Sequence, residues 1–247
     1  DELLPILQEK GLNRDSFIEN IHMLHEKEFV DICNDKAVRF SEQCFSNYLL
    51  KYVFFDKKLL SLSKMIRVCF QNYRERTIAS VNMLLNIFRN ETLLKFVEKE
   101  IKILWDELST EKSPLFFEFV RVFFRVNPTE TLILLQKKIE SAERVTCEWK
   151  NIDTENRKNY QNVDDDIIKI LGGFADMADV STACELFFQY YLKRPDLFMD
   201  FYHAVNIYFG IHRDSLRNSF YTQITFFEKI KEYSDDWEQE FVAQFFL

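Results

Sequence analysis

His22 and His25 stand three residues apart, a spacing that sets two imidazoles on one face of a helix, where they can share a metal ion. A hairpin turn expected just after them brings Cys33 toward the pair. A structural zinc wants four ligands and no fourth is evident, so the pair reads as half-buried histidines and no metal site is expected. Asp164, Asp165 and Asp166 are the second acidic or metal-like grouping. Three successive helical residues point in three directions and converge poorly on one cation. Carboxylates at a helix N-terminus are instead favoured by the macrodipole, so the run is expected to cap a helix. No GxxxxGK[ST], GxGxxG, GxSxG or HExxH occurs, and four glycines in 247 residues are too few to cradle a phosphate. The chain is therefore expected to be no enzyme by itself and to need no cofactor.

Residues 51–76 hold the one concentration of positive charge. Lys51, Lys57, Lys58, Lys64, Arg67, Arg74 and Arg76 face only Asp56 and Glu75 within the segment, a local charge of +5 in a chain of net charge -8. Such a segment suits nucleic acid or an acidic surface of another domain; the acidic remainder would repel phosphate, so docking to protein is the favoured reading. Lys57, Lys58, Lys64 and Arg67 are its candidate contacts.

The elements that must position these residues follow from composition. Four glycines and four prolines are roughly a quarter of the usual share, too few for the turns of a many-stranded sandwich or barrel. Apolar residues make up 47%, enough for a sizeable core. Phe alone numbers 26, with six doublets such as Phe116-Phe117 and Phe187-Phe188. Adjacent helical residues point about 100° apart, so a doublet widens the apolar face and calls for covering on more than one side. Five scattered cysteines without a CxxC read as reduced thiols of a cytoplasmic protein. No stretch has the length of a membrane span.

Along the chain, Ser16 and Glu19 suggest a capping box opening a helix over residues 16–27, with Phe17, Ile21, Leu24 and His25 on one face. Residues 29–32 and 37–40 flank a polar turn at 33–36, and Val38 and Phe40 alternate with Arg39 and Ser41 as in a half-buried hairpin. Leu3 to Lys10 reads as a short helix ended by Gly11, and helix, helix and two-stranded wing is the order of a winged helix lacking its first part. Were the helix at 16–27 a groove reader, it would offer Glu19, Asn20, His22 and Glu26, an acidic surface, so nucleic acid is not expected.

From residue 41 onward the pattern is helical. Apolar rows run through Leu62, Met65, Cys69 and Tyr73, then Ile78, Val81, Leu85 and Phe88, then Leu94, Val97, Ile101, Leu104 and Leu108. Leu115, Phe119, Val122 and Val126 mark the next helix, and Leu132, Leu135 and Ile139 the one after it. Later rows are Val180, Ala183, Phe187 and Tyr190; Phe198, Phe201, Val205 and Tyr208; and Leu216, Phe220, Ile224 and Phe227. Residues 148–163 are polar and read as a loop. Helix pairs of about 40 residues match the units of helical solenoids, and residues 114–120 and 195–202 share a proline-led aromatic pattern. The expected architecture is mainly α: a partial winged helix with a short β-hairpin at 1–55, then an irregular α-solenoid of antiparallel helix pairs, HEAT- or TPR-like, at 56–247, with a break near 144–163.

Residues 28–32 (EFVDI) and 37–55 (AVRFSEQCFSNYLLKYVFF) resemble the end of the winged-helix domain of bacterial STAND-type, NACHT-like P-loop NTPases. Residues 168–176 (IKILGGFAD), 182–186 (TACEL) and 193–197 (KRPDL) look like helical-repeat segments of the same group. The family's P-loop and acidic metal-binding motif match nothing here, so no nucleotide-binding residue carries over. The resemblance implies the portion downstream of an ATPase: a non-catalytic sensor and protein-interaction module in signalling or anti-phage defence. Its partners would be a protein or other domains of the same parent chain, with Tyr202, Tyr208 and Trp237 as aromatic contacts. The alternative is a winged-helix transcriptional regulator whose helices sense a ligand or dimerise.

Overall fold

The computed structural model describes residues 7, 8, 10–34, 37–146, 163–210 and 219–234. Among them the chain is mainly α, with ten helices and one two-stranded antiparallel sheet. It divides into two compact units, residues 1–122 and 123–247. The loop expected at 148–163 and the short helix expected at 3–10 fall mostly outside the described residues.

In the first unit, α1 (Arg14–Glu26) starts two residues earlier than the sequence suggests. Asn13 is its cap: the Asn13 side chain accepts from the Ser16 N–H at 2.7 Å and from the Ser16 hydroxyl at 2.6 Å. Ser16 thus sits inside the first turn and donates, and the expected Ser16–Glu19 box is replaced by an Asn cap. Phe17, Ile21 and Leu24 do share the inner face, but no residue of α1 is fully buried. Strands β1 (Val30–Cys33) and β2 (Ala37–Phe40) pair with Val30 opposite Phe40 and Ile32 opposite Val38. α2 (Gln43–Lys51) then runs into a π-helical turn, Tyr52–Asp56, that buries Phe54.

Two of the expected helical rows form one element, α3 (Leu62–Phe88), kinked at Tyr73 (φ -132°, ψ 37°). The Thr77 hydroxyl donates to the Tyr73 carbonyl at 2.9 Å, a bond that competes with the helical ladder and bends it. The buried row is Leu62, Ile66, Phe70, Thr77, Val81 and Leu84. It lies one residue round from the expected Met65–Cys69–Tyr73 row, because both rows are apolar and the packing partner chooses between them. That partner is α4 (Glu91–Thr110), which follows after a left-handed Arg89 and an Asn90 cap. α4 buries Leu93, Val97, Ile101, Leu104, Trp105 and Leu108, while Leu94 of the expected row is exposed. Phe119, from α5 (Phe116–Phe123), meets Phe70 at 5.5 Å and Trp105 at 6.4 Å between ring centres. Trp105 also meets Phe116 edge-on at 5.4 Å, completing an aromatic core.

The second unit is organised about α8 (Val180–Lys193), which packs against α6 (Pro128–Ser141), α7 (Asp166–Gly172) and α10 (Tyr221–Ser234). Being covered on several sides, α8 buries Val180, Ala183, Cys184, Leu186, Phe187, Phe188, Tyr190 and Tyr191; the Phe187–Phe188 doublet is what makes that possible. α9 (Phe198–Phe209) buries its expected row of Phe198, Phe201, Val205 and Tyr208. α10 departs from expectation. Its buried residues are Gln223, Thr225 and Phe226, whereas Phe220, Ile224 and Phe227 remain exposed. The reason is Phe226: its ring stacks on Tyr208 at 4.9 Å and meets Phe187 at 5.7 Å, so the helix turns that side inward.

Among the described residues no helix is long and apolar enough to cross a membrane. The described cysteines are free thiols, with Cys33 and Cys44 exposed and Cys184 buried.

Candidate interaction surface

The hairpin separates its two faces cleanly. Side chains directly opposite in an antiparallel pair share a face, so Asp31 and Arg39 lie together on one side, where Arg39 Nε donates to Asp31 at 3.0 Å. Val30, Ile32, Val38 and Phe40 lie on the other. Val30 is buried, but β2 is exposed along its length. The alternation that suggests a half-buried hairpin is therefore present, yet only the β1 end of its apolar face is covered within this unit. His25 fastens α1 to the sheet through a 2.8 Å hydrogen bond between Nδ1 and the Val30 carbonyl. His22 is exposed. No group of three His, Cys, Asp or Glu side chains among the described residues is placed to hold a metal.

Phe29 and Phe45 gather beside Phe40 of this face, and Tyr48 follows one turn along α2. Phe45 of α2 stacks on Phe29 at 5.4 Å and meets Phe40 edge-on at 6.1 Å. Tyr48 stacks on Tyr52 at 6.0 Å. Phe29, Val38, Phe40 and Tyr48 are nevertheless 44%, 46%, 41% and 52% exposed. Contiguous large apolar side chains in water mark interaction sites on folded proteins. Phe29 and Tyr48 were not among the sequence candidates; the uncovered alternation of 38 and 40 was the available signal.

The basic segment looks different once folded. Lys51 Nζ donates to both Asp56 oxygens at 2.7 and 2.8 Å and lies over the Phe55 and Phe88 rings. Arg67 reaches across to α4, donating to Glu111 at 3.0 and 2.7 Å and to Glu107 at 3.4 Å. Arg74 pairs with Glu118. The local excess of +5 is thus offset by carboxylates from distant parts of the chain, which charge counting inside a sequence window does not see. Lys57 Nζ lies 5.7 Å from the Tyr52 ring centre and Lys58 Nζ 6.0 Å from that of Phe96. Lys64 is exposed on the first turn of α3. Lys57 thereby borders the Tyr48–Tyr52 edge of the aromatic surface, while Arg67 is committed to α4.

In the second unit the aromatic candidates part company. Tyr208 is fully buried, and its hydroxyl donates to the Leu171 carbonyl at 2.7 Å. It is a core residue and not a contact residue: it belongs to the packing row of α9, and its one polar atom is satisfied inside. Tyr202 is half-buried beside Phe198 and His203. Trp237 lies outside the described residues.

Two polar clusters join elements here, the first built on the expected capping run and the second not expected from the sequence. Asp165 caps α7, accepting from the Ile168 N–H at 2.9 Å and from the Tyr190 hydroxyl at 3.1 Å. The buried Asp200 carboxylate accepts from the backbone N–H groups of Asp164 and Asp165 at 2.9 and 3.3 Å. Burial pushes the Asp165 carboxyl above its ordinary range, against the pull of its hydrogen bonds. The second cluster joins α8 to α10. Glu185 accepts from Lys229 at 2.7 Å, from Gln189 at 2.9 Å and from the Tyr233 hydroxyl. Burial raises the Glu185 carboxyl, but these donors together hold it below the usual carboxylate range. Burial also pushes the Cys184 thiol up to about 12, which leaves it an unreactive packing group. Both carboxylate clusters are tied to backbone or to neighbouring helices, and their arrangement serves to dock elements. Compared with family models, curated proteins and solved structures, the chain matches none.

Proposed function

We propose that this chain is a non-catalytic helical-repeat sensor and protein-interaction module, the C-terminal regulatory part of a larger STAND-type signalling or anti-phage defence ATPase. The observation that supports it is the half-exposed face of Phe29, Val38, Phe40 and Tyr48 on the hairpin and α2. A hairpin patterned to bury one face, with half of that face in water, has the form of a docking element, and a protein or another domain of the same parent chain is the partner that matches it. The basic residues favour a protein partner over duplex DNA, since Lys51, Arg67 and Arg74 already face carboxylates. Helices stacked through modest interfaces pass a binding event along the chain as small cumulative shifts.

The test uses the parent protein. The reading frame ahead of residue 1 is expected to encode GxxxxGK[ST], and Val38→Asp with Phe40→Asp in that parent is expected to change ATP hydrolysis severalfold. A frame without that motif, or ATP binding by the present chain itself at millimolar concentration, overturns the proposal. The transcription-regulator alternative requires duplex DNA binding that weakens steeply with salt; a flat titration at low salt removes it.

A further inference from the structure

The hairpin leaves one backbone edge open. The Ser41 N–H donates to the Phe29 carbonyl at 3.1 Å, and the register sets Asp31 opposite Arg39 and Cys33 opposite Ala37. In an antiparallel ladder, pairs that exchange hydrogen bonds alternate with pairs that do not. Asp31–Arg39 and Cys33–Ala37 are therefore bonded to each other, and the backbone groups of Val30, Ile32, Val38 and Phe40 point away from the ladder. On the β1 side, His25 of α1 meets the Val30 carbonyl at 2.8 Å. On the β2 side no further strand pairs among the described residues, and all four residues of β2 are exposed. The N–H and C=O groups of Val38 and Phe40 thus lie on an outer edge. The same two residues carry exposed apolar side chains.

A two-stranded ribbon is marginal until a third strand or a helix covers it, and an outer edge of this kind is a template for pairing. We infer that β2 receives an extended segment of a protein partner as a third, antiparallel strand, and that this segment alternates apolar and acidic residues. This partner class deepens the docking role proposed for the same face and rests on it. Two apolar residues of the segment come opposite Val38 and Phe40, exchange backbone hydrogen bonds with them and cover their side chains. The residue between comes opposite Arg39, at a non-hydrogen-bonded position where side chains approach most closely. Asp31 holds Arg39 through Nε, and the Arg39 side chain is 74% exposed. An acidic residue there completes a row of alternating charge across three strands. Antiparallel is the orientation that suits a sheet with one face toward water.

The test uses the full chain and a capped peptide, Thr-Val-Glu-Val-Glu-Val-Thr, with amide exchange followed by NMR. In the free chain the Val38 and Phe40 amides are expected to exchange fast and the Arg39 amide slowly. Peptide at about 1 mM is expected to slow Val38 and Phe40 by about fivefold or more. N-methylation of the peptide's valines, whose N–H groups face β2, weakens binding by about tenfold. N-methylation of its glutamates, whose N–H groups face outward, leaves binding unchanged. Lysine in place of glutamate weakens it by about fivefold, although the chain as a whole is acidic. No protection of Val38 and Phe40, equal loss from the two methylations, or equal binding of the lysine peptide overturns the inference. If Val38→Asp with Phe40→Asp nevertheless changes ATP hydrolysis in the parent, the docking role stands and only the strand partner falls. Strand binding with ATP hydrolysis unchanged keeps the open edge and removes that role.

Discussion

At the scale of single residues, the tightest constraint sits at Gly173, the C-cap of α7. A Cβ there would lie 2.4 Å from the tip of the Phe124 ring, which is itself packed on Phe174. Gly173→Ala is expected to destabilise by about 1–3 kcal/mol through overpacking. Adding Phe124→Leu should recover part of that loss in a denaturant titration. The two perturbed carboxylates give opposite pH signatures. The fold lowers the Glu185 pKa, so the ionised group stabilises the fold above the ordinary range, about pH 4.3. That contribution is lost as pH falls through the lower, folded value. Glu185→Gln is expected to cost about 1 kcal/mol at pH 7, and the gap between variant and parent should close in strong acid. Asp165 runs the other way. Its raised pKa favours the protonated carboxyl, so its share is full below about pH 3.9 and is lost as pH rises through the folded value. Asp165→Asn keeps the cap without the buried charge and should be nearly neutral at pH 7. Asp165→Ala should cost about 1–2 kcal/mol.

At the scale of elements, the hairpin and the α3–α4–α5 core contain similar residues in opposite circumstances. Phe119 is fully buried between Phe70 and Trp105. Phe119→Ala should cost about 3–5 kcal/mol. Phe40 is half in water, and Phe40→Ser is expected to shift stability by under about 1 kcal/mol, with circular dichroism unchanged. A large loss at Phe40 would mean that the hairpin is a structural prop and would weaken its reading as a docking face. The helix rows illustrate when periodicity suffices. Leu132, Leu135 and Ile139, or Phe198, Phe201, Val205 and Tyr208, are each one apolar row on an otherwise polar or singly covered helix, and all are buried as expected. α3 and α10 each carry two competing rows. There the choice rests on which side meets α4, or which meets Tyr208 and Phe187.

For the molecule as a whole, the amino-acid sequence by itself determined the mainly helical class, the short hairpin and most of the α6, α8 and α9 core. Scarcity of glycine and proline, and apolar residues at helical intervals, act locally and need no partner to be read. The Asp164–Asp166 run likewise announced a helix start, because capping involves only neighbours along the chain. The tertiary structure decided what depends on contacts between distant residues. It joined two rows into the kinked α3, set the Tyr208 hydroxyl on the Leu171 carbonyl, and placed Phe226 rather than Phe227 in the core. It set Glu107, Glu111 and Glu118 against the basic segment, leaving the hairpin's aromatic face as the stronger surface candidate. Burial, and the pairing of charges far apart in sequence, are properties of the space between elements, and one-dimensional spacing carries no record of which neighbour fills it.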